Sequence, residues 1–177
     1  MARRENKELK EHKDYILNAI KEHRELQGNT CQIIEVPDAG NILQVLFKGM
    51  GQCKIDVGFE IAFIDVGEES EIPYFSPQIG GNIFSNIPDK NIPEVLKACN
   101  HINATLMSGF FGVMEGSLYY KNNLVIRSFF PDDVQIQLLA DALLVGENAV
   151  NAVIDSFAFI GRGLDTLEDE IKAGRLN

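Results

Sequence analysis

The chain has 177 residues, 45% hydrophobic and 24% charged, ordinary proportions for a globular protein with enough length for one core. Its 16 basic and 26 acidic residues give a formal net charge of -10, which opposes binding to nucleic-acid phosphates and to anionic membrane surfaces. Three cysteines, Cys31, Cys53 and Cys99, are an odd number with long spacings, so a disulfide framework is not expected and a reducing, cytoplasmic setting is.

The charge is unevenly spread. Up to Arg24 there are 7 basic and 5 acidic residues, which leaves 9 basic and 21 acidic for the rest. Interleaved glutamates make the N-terminal stretch a solvated helix rather than a basic arm. It has no apolar core of the secretory-signal kind, so no secretory signal is expected.

Glu5–Gln27 reads as the first helix, with Leu9, Ile16 and Ile20 at helical spacing and Gly28-Asn29 as its stop. Strands are expected at 31–36 and 41–48, then at 54–57 and 60–66 with a bend at Gly58. Short connections make these neighbours antiparallel. Cys31 and Cys53 fall in this region and read as buried strand residues.

Gly67–Lys90 contains Pro73, Pro77, Pro88 and Gly80-Gly81, and reads as one long irregular loop. Either its aromatics Tyr74, Phe75 and Phe84 tack it to the core, or it is a lid or partner-binding loop. Glu68, Glu69 and Glu71 would give it an acidic edge.

A helix over 93–107 follows, opened by Pro93. Its apolar face includes Cys99, and His101 lies on its flank, making a local hydrogen bond. A hairpin is expected next, with strands 110–120 and 124–130 turning on Lys121-Asn122-Asn123. Its aromatics Phe110, Phe111, Tyr119, Tyr120, Phe129 and Phe130 point to both faces. One face packs on helices; the other is either exposed as an interaction patch or covered by the first helix or the long loop.

Asp132–Gly161 is the longest helix, with an apolar stripe from Ile136 to Ile160, Asp132 or Asp133 as cap, and a kink expected at Gly146. Its polar interruptions Asp141, Glu147, Asn148, Asn151 and Asp155 argue against an ordinary membrane span. Residues 164–173 form a short helical tail. The expected fold is α+β: one domain over 1–177, a single antiparallel sheet packed by helices, in the order α-β-β-β(-β)-α-β-β-α.

Asn100-His101-Ile102-Asn103, then Ser117-Leu118-Tyr119-Tyr120, the polar Lys121-Asn122-Asn123, Leu124-Val125-Ile126-Arg127 and the long final helix together resemble the YbjN-type domain family. That family is grouped by fold with the type III secretion chaperones. The resemblance implies a small cytoplasmic homodimer that holds a protein segment, a chaperone-like or regulatory adaptor. It carries no catalytic residue onto any position here.

The residues themselves show no metal or nucleophile pattern. His12, His23 and His101 lack ligand spacing, and Gly49-Met50-Gly51 and Gly161-Arg162-Gly163 lack the context of a phosphate loop. The expectation is a non-enzymatic protein without cofactor or metal, whose partner is a protein segment or a second copy. The candidate contact surface is Phe110, Phe111, Tyr119, Tyr120, Phe129, Tyr74 and Phe75. The alternatives are a small-molecule binder or enzyme with a pocket under the Gly67–Lys90 loop, and a structural subunit of a larger assembly.

Overall fold

Two blocks of strands alternate with three long helices, at the start of the chain, between the blocks and near the end; the two patterns meet in a sheet with helices on one side. The computed structural model describes residues 7–37, 39–64 and 74–176. The elements in chain order are α1 (Lys7–Leu26), β1 (Thr30–Val36), β2 (Gly40–Met50), β3 (Ile55–Ile64) and β4 (Tyr74–Phe84). They continue with α2 (Ile92–Asn103), β5 (Phe110–Met114), β6 (Ser117–Asn123), β7 (Ile126–Arg127), α3 (Asp132–Arg162) and α4 (Leu167–Lys172). The strands among the described residues form one antiparallel sheet in the order β1-β2-β3-β4-β6-β5, with β7 beside the start of β4. The fold is α+β, as the sequence pattern predicts.

One sheet face is the core. Leu43, Val45, Phe59, Ile61, Ile79 and Leu118 all point to it and are fully buried. Against it, α1 packs on β1 and β2, α3 crosses the middle, and α2 lies on β5. Buried Arg24 ties α1 to α3: its guanidinium donates to Glu147 at 3.1 Å and lies 5.5 Å from the Phe47 ring centre. By length and composition α3 could cross a membrane. Here its side bearing Leu139, Leu143, Val150, Ile154 and Phe157 is buried in the core instead.

Four expectations are corrected. The stretch read as an irregular loop over Gly67–Lys90 contains β4, an eleven-residue strand with neighbours on both sides. Its proline is tolerated because of where it falls. Residue 77 faces the gap between β6, which begins pairing at Gln78, and β7, which pairs at Phe75. Leu124 N–H still reaches the Pro77 carbonyl at 2.9 Å, so only the absent proton of proline would have lacked a partner. The pocket imagined under that loop therefore has no lid over 74–84. Glu68, Glu69 and Glu71 lie outside the described residues.

The hairpin turn is Glu115-Gly116, not Lys121-Asn122-Asn123, which lie in β6, all three paired to β4 and Lys121 to β5 as well. Glu115 (φ 50°) and Gly116 (φ 71°) both take positive φ, the primed turn that matches strand twist. At the start of α3, Pro131 occupies the cap position; Asp132 and Asp133 sit in the first turn, where their charge meets the helix dipole. Cys53 is exposed in the β2–β3 turn rather than buried in a strand. That turn is held from α3: Asn151 accepts from Gly51 N–H at 2.9 Å, and Asp155 accepts from Gln52 and Cys53 N–H at 2.7 and 2.8 Å.

The edge strand β5 is partly capped by its own neighbour. Asn103, at the end of α2, accepts from Phe111 N–H at 2.8 Å and donates to Phe111 C=O at 2.9 Å. Both backbone groups are thereby satisfied by a side-chain amide.

Candidate binding face of the sheet

The face opposite the helices carries the outward half of every strand. Register places Gln32, Gln44, Glu60, Gly80, Lys121 and Phe110 in one row across the sheet. A second row runs Leu46, Gly58, Asn82, Tyr119 and Gly112. All of these except Gly112 line an open trough of about 940 Å³.

Its polar side is a ladder of amides. Gln32 donates to Gln44, and Gln44 donates to Glu60 at 2.8 Å. Gln78 donates to Asn123 at 2.9 Å. Its floor is bare backbone: a Cβ added at Gly58 would meet nothing within 4 Å, and one at Gly80 would meet only the Tyr120 carbonyl at 3.9 Å. Glu60 and Lys121 stand on either side of Gly80 in register. Lys121 has no ion-pair partner among the described residues.

Its apolar wall stands at the β5–β6 hairpin. Phe110 and Tyr119 meet edge to face, 5.9 Å between centres, and Met114 beside them is 65% exposed. Gly112 allows this wall to close down, because a Cβ there would collide with the Tyr119 hydroxyl at 2.5 Å.

The hairpin faces are now resolved: the Phe110 and Tyr119 side is open to solvent. The other proposed contact residues need correction. Phe111, Tyr120 and Phe75 point inward and are buried. Phe111 packs on Tyr120 and Phe157, and Phe75 packs on Phe63 and the His12 ring. Burial raises the pKa of the Tyr120 hydroxyl, with a hydrogen bond to Asn122 acting the other way; the hydroxyl donates to Ser108 C=O at 3.1 Å. Phe129 is exposed but lies outside the trough, on the connection into α3 against Phe130. Tyr74 opens β4, and its side chain is outside the described residues.

The reactive residue types are dispersed. Cys99 is buried on the inner face of α2, and burial pushes its thiol up to about 12. Cys53 is exposed, and its hydrogen bond to the Asp155 carboxylate raises its pKa. His101 does not make the expected local hydrogen bond: its Nε2 is buried without a partner. Among the described residues no group of three or more His, Cys, Asp or Glu is placed to hold a metal ion.

Sequence reasoning missed the amides Gln32, Gln44, Gln78 and Asn82 and the glycines Gly58 and Gly80. Alternation within each strand marks them as outward. Only the register reveals that they adjoin. Chemically, the trough offers neutral groups that both donate and accept hydrogen bonds, beside an aromatic wall. Such groups match a peptide backbone, and at neutral pH they neither titrate nor attack. Compared with protein-family models and with curated proteins, the chain matches none.

Proposed function

We propose that this protein is a non-enzymatic, chaperone-like adaptor that holds an extended, basic segment of a partner protein on the open face of its sheet. The observation that carries this reading is the trough, with amide rungs at one end, an aromatic wall at the other and glycines between. From β1 to β5 it spans five strand spacings, about 24 Å, which is room for about seven extended residues. Glu60 and the net charge of -10 favour a segment with Lys or Arg. The chaperone-like label comes from the resemblance to the YbjN-type family.

The reading includes a homodimer. On α3, Val134, Leu138 and Val145 share one face, with Asp141 among them and Leu144 to the side; the four apolar residues, between 37% and 46% exposed, are what a second copy would cover. A reducing cytoplasm suits the free thiols of Cys31, Cys53 and Cys99.

The test is fluorescence anisotropy with labelled ten-residue unstructured peptides, basic-aromatic against acidic, on the intact protein and on Gly58→Val. Valine at position 58 enters open space, and its strand preference adds up to about 1 kcal/mol of stability. Expected is saturable binding of the basic peptides that falls at least tenfold in the variant while its melting temperature holds or rises. Unchanged affinity in Gly58→Val, or no saturable binding to any peptide, would sink the proposal. A protein that sediments as a monomer at tens of micromolar would remove the dimer from it.

A further inference from the structure

A second hollow lies on the helix side, between the end of β4 and the last turns of α3, with a volume of about 390 Å³. Two departures from regular structure and one close approach shape it. A bulge between Asn82 and Phe84 shifts β4, setting Phe84 opposite Leu118. Gly161 then lets the Phe84 ring lie against α3, since a Cβ there would stand 2.7 Å from the ring. Asn86 takes a left-handed conformation, φ 62°, which sends Ile87 inward, where its N–H donates to Gly116 C=O at 2.9 Å. A non-glycine residue in that region costs about 1 kcal/mol, and such departures gather where a ligand must fit.

The interior is apolar: Ile55, Phe84, Ile87 and Ala158. The rim carries Arg162, which is exposed and has no ion-pair or hydrogen-bond partner among the described residues. Asp155, two turns earlier on α3, is engaged by the Gln52 and Cys53 N–H groups. The carbonyls of Phe159 and Ile160 at the helix end already accept from Leu164 and Gly163 at 2.9 Å. An anion at this rim therefore meets a guanidinium rather than bare carbonyls.

We propose that this cleft binds a small amphiphilic carboxylate, its apolar body of about ten heavy atoms inside and its carboxylate on Arg162. Ligand sites of this size are mostly apolar with a few polar groups that set orientation. The protein's net charge of -10 disfavours anions in general, so the apolar body must supply much of the affinity. That excludes a bare inorganic anion. The site shares Phe84 and Ser85 with the end of the trough but has its own interior at Ile55, Ile87 and Ala158, and its ligand does not depend on what binds in the trough.

The experiment is calorimetric titration of the full chain with octanoate, octanol and octylammonium, and two-dimensional NMR to place the octanoate. Octanoate should bind at least tenfold tighter than octanol, and octylammonium not at all. Shifts should concentrate at Ile55, Ile87 and Ala158, which line this cleft and not the trough. In Arg162→Gln, a surface change whose folding is checked by circular dichroism, octanoate should weaken to the octanol level while octanol is unchanged. Equal binding of octanoate and octanol, octanoate affinity that survives Arg162→Gln, or shifts confined to the open sheet face would each overturn the proposal.

Discussion

Gly146 sits in the middle of α3, where an alanine would ordinarily stabilise a helix by about 1 kcal/mol. At 177 residues that gain would raise the melting temperature by about 2–4 °C. The packing opposes it. A Cβ at 146 would stand 2.8 Å from Tyr120 Cε1 and 3.1 Å from Phe59 Cε1. Neither ring is a loose end: both are completely buried, and Tyr120 is tethered to Ser108. Overpacking of this kind costs about 1–3 kcal/mol. Gly146→Ala should therefore lower stability by up to about 2 kcal/mol, read as a fall in the midpoint of urea denaturation at unchanged slope. Pushing Tyr120 would also shift the hairpin that carries Phe110 and Tyr119, so peptide affinity should fall in the same variant. A rise in both midpoint and melting temperature would refute the close approach of α3 to the sheet and leave Gly146 as an ordinary helix glycine.

Glu170 on α4 is fully buried and accepts from Arg175 at 2.6 and 2.7 Å; the Arg175 hydrogen bond is the main reason its carboxyl is held at about 2, against an ordinary 4.5. A depressed carboxyl stabilises the fold above its unfolded pKa, so this contribution is full above about 4.5 and is lost as pH falls toward 2. Asp165 works in the opposite sense, since its hydrogen bond to Glu170 raises its pKa. Glu170→Gln should cost about 2 kcal/mol at pH 7 and flatten the acid limb of a melting-temperature profile; an unchanged limb would contradict the assignment. For the thiols, native-state alkylation at pH 8 should modify exposed Cys53 and spare buried Cys99. Asp155→Asn, which removes the carboxylate that raises the Cys53 pKa, should speed the reaction at Cys53, as mass spectrometry of timed samples would show.

Local pattern was enough wherever a chemical period repeats within one element. The apolar stripe of α3, Pro93 in the first turn of α2 and the glycine stop after α1 all act over a few residues, so the three long helices and the α+β class were legible. Runs of β-branched and apolar residues between turn residues likewise marked β1 and β2 as strands. That signal failed at β4, where Pro77 and Gly80-Gly81 carry the chemistry of a loop. Proline fits there only because β6 and β7 leave a gap beside it, and that gap is made by residues nearly fifty positions later. The hairpin turn went astray for a related reason: Lys121-Asn122-Asn123 has turn composition, but pairing of all three to β4, and of Lys121 to β5 as well, holds it extended. Which aromatics face water was decided the same way. Phe110 and Phe111 are neighbours of one type, and only the register with β6 sends one to the trough and the other to the core. The trough itself, with Glu60, Gly80 and Lys121 side by side, exists only once three distant segments hydrogen-bond in register. Pairing between strands acts across sequence distance, so tertiary structure alone could set it.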